Sequence, residues 1–330
     1  MPLVSFRPKG MNNVDPRETV GRPDPESRSL VYTEGISLVN VDPNEQSGGP
    51  RRRGITLEIP GMAPHSGWSD GRQAYFVEGG ALKSFTPDGS NILALLSSNE
   101  PMAFCSVNDI VVASNGVDFL IIEDGDVATA FEPADPHKVS MSPGTCLEFY
   151  NGRLYAALGR VLYASDSLDT AGGVEQMDER RNVVAVFASD IVMVKRATGG
   201  LFVSDGTETF FFAGEDPFIG EGFAQRSVFP YPAIAGTVQA IAPSLLGSAD
   251  IQGEACMWAS ERGVCLGLPG GSVANISSGT FANPIGRSGT AIVRENNGQV
   301  HFLCVVRDQR PAYNANQGRD IPVTDQPISD

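Results

Sequence analysis

A short strand–turn–strand pattern recurs six times along the chain and restricts its possible folds more than any other feature. Each copy joins two runs of β-branched and aromatic residues through a turn that contains glycine, which is the sequence signal of a β-hairpin. The turn glycines are Gly80, Gly116, Gly159, Gly200, Gly263 and Gly298. Their spacings are 36, 43, 41, 63 and 35 residues. A hairpin repeat of roughly 40 residues is typical of propeller blades, so the sequence predicts an all-β, six-bladed β-propeller.

Apolar runs between the hairpins supply further strand candidates. Residues 92–96, 183–187 and 238–242 are expected to complete four-stranded blades. The longest interval between hairpins holds a Pro- and Phe-rich stretch, residues 210–232, which we interpret as an insertion. The 37 Gly and 23 Pro favour turns, and no segment has helical periodicity. A β-sandwich is the alternative architecture, although two sheets do not usually need six similar hairpins.

Composition divides the chain into three parts. Residues 1–58 are rich in Pro, Asn, Ser and Arg, with a modest apolar stretch at residues 36–41, and could not bury enough surface to fold alone. We expect them to form an extended N-terminal arm that is ordered only against the body or a neighbouring subunit. Residues 59–309 form the predicted propeller, and residues 310–330 read as a polar, Pro-rich tail.

The net charge of −15 resides entirely outside the arm. The arm has eight basic and eight acidic residues, whereas residues 59–330 have 16 basic and 31 acidic ones. This acidic balance argues against broad binding to nucleic acid or to an anionic membrane. The first residues lack the apolar core of a signal peptide, and no apolar run approaches the ~20 residues of a membrane span. We therefore expect a protein that is made in the cytoplasm and leaves it, if at all, without an N-terminal signal.

Residues typical of catalysis or metal binding are sparse. The chain lacks nucleophile-elbow, Walker and dinucleotide-binding patterns, and His65, His137 and His301 are far apart in sequence. Its five cysteines have no metal-ligand spacing and are expected to be reduced, mostly buried thiols. The acidic residues 123–126 are expected to form a solvated hairpin turn, because the ligand spacing of a calcium loop is missing. The sequence thus predicts a protein that is not an enzyme and uses no metal or cofactor.

Six short segments, taken in order, resemble β-propeller virion proteins of tailed bacteriophages. Near the N-terminus they are FRPKGMNN at 6–13, SLVNVD at 37–42 and GGPRRRG at 48–54. Further along they are GLFVSDGTETF at 200–210, PAIAGT at 232–237 and WASERGVCLGLPGG at 258–271. Each segment is short and most contain glycine, so the resemblance depends on their order, and it extends over most of the chain.

This resemblance implies a structural role in the virion. Such propellers in short-tailed phages resemble the tail nozzle, whose subunits form a ring, commonly sixfold, below the portal and adaptor. The implied partners are other copies in a hexamer, the head-to-tail connector above, and distal tail or fibre proteins below. DNA would pass through the ring during genome ejection without specific binding. This chain departs from larger nozzles because residues 1–58 and 310–330 leave little room for a platform domain.

Two groups of arm residues are the candidate assembly contacts. They are Gly10, Met11, Asn12 and Asn13, and Arg51, Arg52 and Arg53. The three arginines are expected to lie at an interface or in a solvated cluster, with a nucleic-acid or phosphate contact as the alternative.

A carbohydrate-binding or glycan-hydrolysing propeller for host-receptor recognition is the alternative function. In that reading Trp68, Tyr75 and Trp258, with nearby acids, would line a glycan cleft. Ser204-Asp205-Gly206 loosely echoes the aspartate turn of sialidase-like propellers. A glycan hydrolase would need two carboxyl groups about 5–10 Å apart in a central cleft.

Overall fold

A computed structural model gives the three-dimensional structure of this chain. It describes residues 64–86, 89–123, 126–128, 133–169, 173–219, 222–242, 253–277, 286–296 and 299–307. These residues are built from β-strands, and their helical elements are two 3₁₀ turns, Gly173–Glu175 and Pro269–Gly271. The predicted all-β class is confirmed. The proposed boundaries of the arm and tail, near residues 58 and 310, lie outside the described residues.

The strands form antiparallel sheets that follow one another along the chain. Sheet 1 contains β1 (His65–Ser69), β2 (Ala74–Glu78), β3 (Ala81–Thr86) and β4 (Gly89–Leu95). Sheet 2 contains β5 (Ala103–Val107), β6 (Ile110–Ser114), β7 (Phe119–Glu123) and β8 (Asp126–Ala128). Sheet 3 contains β10 (Cys146–Tyr150), β11 (Arg153–Leu158), β12 (Val161–Ala164) and β14 (Val183–Val186). A separate ribbon pairs β9 (Lys138–Ser140) with β13 (Gln176–Asp178).

The remaining strands continue the same order. Sheet 4 contains β15 (Ile191–Ala197), β16 (Gly200–Asp205), β17 (Thr209–Ala213) and β18 (Ala224–Phe229). Sheet 5 contains β19 (Gln239–Ile241), β20 (Ala255–Ser260), β21 (Gly263–Gly267) and β22 (Val273–Asn275). Sheet 6 contains β23 (Ser288–Asn296) and β24 (Gln299–Arg307). The three strands predicted between hairpins are confirmed, because they correspond to β4, β14 and β19.

The hydrophobic core lies between successive sheets. Side chains of a strand alternate between its two faces, and β11 shows the consequence: Leu154 and Ala156 pack towards sheet 2, whereas Tyr155 and Ala157 pack towards sheet 4. Five clusters of buried residues join sheets 1 and 2, 2 and 3, 3 and 4, 4 and 5, and 5 and 6. Each inner sheet is therefore buried on both faces, which is why central strands such as β6, β11 and β17 have apolar residues on both sides.

First strands of neighbouring sheets lie against one another. β5 contacts β10, β10 contacts β15, and β19 contacts β23. The fourth strands pair only with third strands and form the outer edges of their sheets among the described residues. Sheets 2, 3 and 4, and likewise sheets 5 and 6, thus run outward from neighbouring first strands.

The fourth predicted hairpin occupies a different place in its sheet from the hairpins of sheets 1, 2, 3 and 5. In sheets 1, 2, 3 and 5 the predicted hairpin joins the second and third strands, but the hairpin at Gly200 joins β15 and β16, the first and second strands. The equivalent turn of sheet 4 contains Gly206. Residues 210–232 are likewise not an insertion, because they supply most of β17 and all of β18. The sequence prediction selected the Gly199-Gly200 turn because two adjacent glycines are a strong turn signal. The turn at Gly206 is stabilised instead by side-chain hydrogen bonds, which glycine content does not reveal.

Candidate functional site

The seven candidate assembly residues of the arm lie outside the described residues. Gly10, Met11, Asn12, Asn13, Arg51, Arg52 and Arg53 therefore remain predictions, and the geometry that follows concerns the body alone.

Three of the segments that carry the phage resemblance meet at the boundary of sheets 4 and 5. Ser204, from the segment 200–210, accepts a hydrogen bond at its Oγ from the Ala233 N–H at 2.8 Å. The Ile234 N–H, next along the segment 232–237, donates to the Ala259 carbonyl at 2.8 Å. The rings of Phe202 and Trp258 lie with centroids 5.6 Å apart. Segments that are far apart in sequence thus form one packed unit.

A cluster of ion pairs connects the first strands of sheets 3 and 4. Lys195 Nζ lies 2.6 Å from Glu148 Oε2, and Glu148 is almost fully buried. Arg196 Nε lies 3.8 Å from Glu148 Oε1 and 3.0 Å from Glu254 Oε2, which extends the cluster towards sheet 5. Burial lowers the pKa of Lys195, but the Glu148 carboxylate more than offsets this effect and holds that pKa above its ordinary value.

The first strands of the five four-stranded sheets carry few acidic residues. Glu148 is the one acidic residue in β1, β5, β10, β15 and β19, and Lys195 and Arg196 are their two Lys or Arg residues. Most other acidic residues in the described part of the chain lie in turns and connections, since the outer strands β4, β8, β14, β18 and β22 contain only Asp126.

A turn motif that the sequence interpretation missed recurs in three sheets. A serine at the end of a strand donates its hydroxyl to a carbonyl across the turn, and the next residue, Asp or Asn, accepts two backbone N–H bonds at Oδ1. The pairs are Ser69–Asp70, Ser114–Asn115 and Ser204–Asp205. Repetition of the dipeptide Ser-Asp or Ser-Asn before a turn is the signal that could have identified it.

Asp205 has a structural task in its turn. Its Oδ1 accepts the backbone N–H groups of Thr207 at 2.8 Å and Glu208 at 3.0 Å, and the Thr207 hydroxyl at 2.6 Å. Burial raises the pKa of Asp205, but these hydrogen bonds outweigh it and leave the pKa below the usual value. Asp205, the residue on which the resemblance to the sialidase aspartate turn depends, thus uses its carboxylate for hydrogen bonds within its own hairpin.

Two of the three aromatic residues suggested for a glycan cleft are buried in the core. Trp258 is fully buried between sheets 4 and 5, and Tyr75 is buried between sheets 1 and 2. Trp68 is half-buried and stacks on Phe104 at 5.5 Å. These residues do not form a common cleft, because their side chains belong to two separate core clusters.

The loop between β17 and β18 folds back onto sheet 3. The Tyr150 hydroxyl donates to the Gly214 carbonyl, and Arg153 Nε pairs with Asp216 Oδ2, both at 2.8 Å. The guanidinium groups of Arg153 and Arg181 lie over the Phe218 ring, at 5.3 and 5.6 Å from its centroid. Sheets 3 and 4 are thus connected by a docked loop as well as by their shared core.

The cysteines and histidines form no metal cluster in the described part of the chain. All five thiols are free: Cys105, Cys256 and Cys265 are buried, and Cys146 and Cys304 are half-buried. Burial raises the pKa of Cys105 and of Cys256 to about 12. In the same described ranges, no helix has the length and apolar character needed to span a bilayer.

Comparison with known proteins yields likeness in fold. No protein-family model and no curated protein matches the chain. The N-terminal domain of Nup159 matches at 13% identity and a TM-score of 0.49, over 78% of this chain and 76% of that one. The WD40 β-propeller domain of Doa1 matches at 8% identity and a TM-score of 0.40, over 71% of this chain and 79% of that one.

PorZ, a component of the type-IX secretion system of Porphyromonas gingivalis, matches at 15% identity and a TM-score of 0.39. That match covers 72% of this chain but spans only 29% of PorZ. These likenesses are limited to the fold. The strand order of the chain itself, with successive four-stranded antiparallel sheets, gives an all-β, β-propeller-like fold.

Proposed function

We propose that this protein is a non-enzymatic structural component of a bacteriophage tail. Its six sheets are the six blades of one propeller, and copies of it assemble into a nozzle-like ring, most simply a hexamer. The ring lies in the virion tail below the portal and adaptor, contacts distal tail or fibre proteins, and surrounds the DNA exit channel.

The observation that carries the proposal is that three segments resembling phage tail propellers contact one another in the structure. Residues 200–210, 232–237 and 258–271 resemble phage tail propellers in sequence order, and their backbones and rings contact one another at the boundary of sheets 4 and 5. Because the three segments pack as one structural unit, we treat their resemblance as a single feature of the fold.

The outer edge of sheet 3 supports an assembly role. Val183 and Val186 lie on β14, whose outer edge has no partner strand among the described residues, and both side chains are largely exposed. Exposed apolar residues on an open strand edge favour contact with another protein chain. The glycan alternative lacks comparable support, because Trp258 and Tyr75 are buried.

The charge distribution suits a DNA conduit that does not hold DNA. Acidic side chains repel phosphates, so a duplex would not bind to such a wall and could slide through the ring. Reversing the acids that face the channel to lysine is expected to slow DNA exit from particles. Unchanged ejection kinetics in those particles would contradict this part of the proposal.

Assembly is tested on the purified full-length chain by native mass spectrometry and electron microscopy. We expect closed rings, and we expect the triple substitution R51E/R52E/R53E to abolish them without lowering the melting temperature. The matched control is R17E/R22E/R28E, which makes the same charge change elsewhere in the arm. Wild-type protein that stays monomeric alone and with the adaptor would overturn the proposed ring.

A further inference from the structure

Three side chains of sheet 3 bind the main chain of the loop between β17 and β18. Tyr150 Oη and Asn151 Nδ2 donate to the carbonyls of residues 214 and 215, both at 2.8 Å. The Arg181 guanidinium donates to the Phe218 carbonyl. Because every segment of a chain has carbonyl acceptors, these bonds would suit any peptide that follows the same path.

Two further contacts select the side chains of the bound segment. Arg153 Nε lies 2.8 Å from Asp216 Oδ2, and Arg153 Nη1 donates to the Ser165 carbonyl, also at 2.8 Å. The guanidinium groups of Arg153 and Arg181 lie over the Phe218 ring, at 5.3 and 5.6 Å from its centroid. Charge-assisted bonds and cation–π contacts depend on geometry, so the surface favours an acidic residue that precedes an aromatic one by two positions.

The bound segment is short and forms its own turn. Asp216 Oδ1 accepts the Phe218 N–H at 2.8 Å, and Pro217 between them restricts the backbone. The turn presents the carboxylate and the ring to the same guanidinium, that of Arg153. All the groups that these contacts use lie within residues 214–218, so a short peptide contains everything that the surface recognises.

A hydroxyl without a hydrogen-bond partner lies close to the docked loop. Tyr155 is fully buried, and its Oη has no such partner among the described residues. Its ring stacks on Phe223, near the end of the loop, with centroids 5.8 Å apart. Burial, and after it the charge of Asp216, raise the pKa of Tyr155, so the hydroxyl lies near the docked carboxylate. Because water would satisfy this hydroxyl, the docked state carries a penalty that release of the loop removes.

We propose that this surface of sheet 3 is a peptide-binding site that the chain's own loop occupies and that a partner protein can take over. The site is formed by four side chains: Tyr150, Asn151, Arg153 and Arg181. The partner presents an exposed, extended segment in which an acidic residue precedes an aromatic one by two positions. This inference goes beyond the proposed tail function and does not depend on it.

The competing segment belongs to a different protein rather than to a second copy of this chain. Every copy has the same loop, and docking within one chain is favoured because the tether gives the loop a high local concentration. In the described ranges the pattern Asp/Glu-x-Phe/Tyr occurs again at residues 148–150 and 208–210. The aromatic residues of both belong to strands, β10 and β17, so neither pattern is free to bind elsewhere. Arg153 and Arg181 supply the positive charge that an acidic segment of the partner needs.

Fluorescence anisotropy of the full-length chain with labelled peptides tests the site. The probe is AGEDPFI, the sequence of residues 213–219. Wild type should bind this probe at least about tenfold more tightly than AGENPFI, which lacks the carboxylate, or AGEDPAI, which lacks the ring. The control peptides leave the protein itself unchanged, so folding does not affect the comparison. Equal binding of all three peptides, or binding of none, overturns the proposal.

A variant with an emptied site tests the competition with the loop. Replacement of residues 215–218 by Gly-Ser-Gly-Ser removes the competing side chains and leaves the sequence of sheet 3 intact. This variant should bind AGEDPFI at least about tenfold more tightly than wild type, because the apparent affinity of an occupied site falls with the fraction that is free. Glu215→Ala, which keeps Asp216 and Phe218, is the matched control and should bind like wild type. Equal affinity of wild type and a folded replacement variant overturns the occupancy by the loop, and if that variant does not fold, the peptide preference of wild type decides.

Tyr155→Phe tests whether the buried hydroxyl favours release of the loop. The variant keeps the ring and removes the hydroxyl that lacks a partner, so the docked loop becomes more stable relative to the released one. AGEDPFI should then bind at least about threefold more weakly than to wild type, because the loop competes better for the site. Unchanged or tighter binding would contradict the part that Tyr155 has in the proposal.

Discussion

The Glu148 carboxylate and the Lys195 ammonium lie 2.6 Å apart, where the first strands of sheets 3 and 4 meet. Glu148 retains 5% of its side-chain exposure and Lys195 24%, so water screens the pair only weakly. Cys105 and Cys256, on sheets 2 and 5, lie close enough for the charges of Glu148 and Lys195 to affect the pKa of their thiols. The ion pair therefore couples neighbouring sheets near their shared centre.

Removal of one member of this pair should destabilise the protein strongly. Glu148→Gln leaves a poorly solvated ammonium without its counter-charge, and we expect a loss of about 3 kcal/mol in the free energy of unfolding. The double variant Glu148→Leu with Lys195→Met should recover much of the loss, because no charge then remains buried. Urea unfolding of wild type, Glu148→Leu, Lys195→Met and the double variant measures the coupling.

The exposed pair Arg72–Asp109 provides the matched control. Its atoms are also close, at 3.0 Å, but the side chains are 75% and 84% exposed. Asp109→Asn should have little effect on unfolding, because solvent screens such pairs. Equal effects of Glu148→Gln and Asp109→Asn would show that the inner pair does not couple the sheets.

Asp205 predicts an acid-dependent contribution to stability. Its folded-state pKa is lowered, so its contribution is complete above the ordinary value of about 3.9 and is lost as the pH falls through the folded value. At pH 7, Asp205→Ala should cost about 1–3 kcal/mol, because it removes a charged acceptor from two part-buried backbone N–H groups and from the Thr207 hydroxyl.

Asp205→Asn separates the charge of this side chain from its geometry. Asparagine accepts the same turn bonds at position 115, so this variant should lose less stability than Asp205→Ala. Its deficit relative to wild type should shrink below pH 4, since wild type then loses the carboxylate advantage. Unfolding curves at pH 7 and pH 3 make the comparison, and a deficit that grows on acidification would contradict it.

The repeated sheet architecture could be predicted from sequence, whereas the position of each hairpin within its sheet could not. Short apolar runs and glycine turns have local signals, which is why β4, β14 and β19 were found. The turn at Gly206 was missed because it is stabilised by the Asp205 side chain, a contact that glycine counting does not detect. The Glu148–Lys195 pair joins strands of different sheets, so it could not be predicted from the spacing of residues in the sequence. The contact between residues 200–210 and 232–237 could not be predicted for the same reason.

The docked loop between β17 and β18 depends on the Arg153–Asp216 ion pair. These side chains are 11% and 18% exposed, and Arg153 also donates to the Ser165 carbonyl at 2.8 Å. Asp216→Ala should cost about 3 kcal/mol, because it leaves the guanidinium poorly solvated without its counter-ion. It should also make the loop a preferred site of limited proteolysis. Glu215→Ala, an exposed neighbour with the same charge loss, should change neither property.

The buried thiols predict a definite order of chemical labelling. A thiol with a pKa of about 12 is ionised in only ~1 molecule in 10,000 at pH 8, and the thiolate is the reactive form. Cys105 and Cys256 should therefore resist iodoacetamide in the native protein, and half-buried Cys304 should react first. Peptide mapping after timed labelling, with urea-unfolded protein as the fully reactive reference, gives the order. Cys256 lies in the cluster that contains Trp258, so its early modification would mean that sheets 4 and 5 separate readily in the native protein. That outcome would contradict the packed boundary on which the proposed function depends.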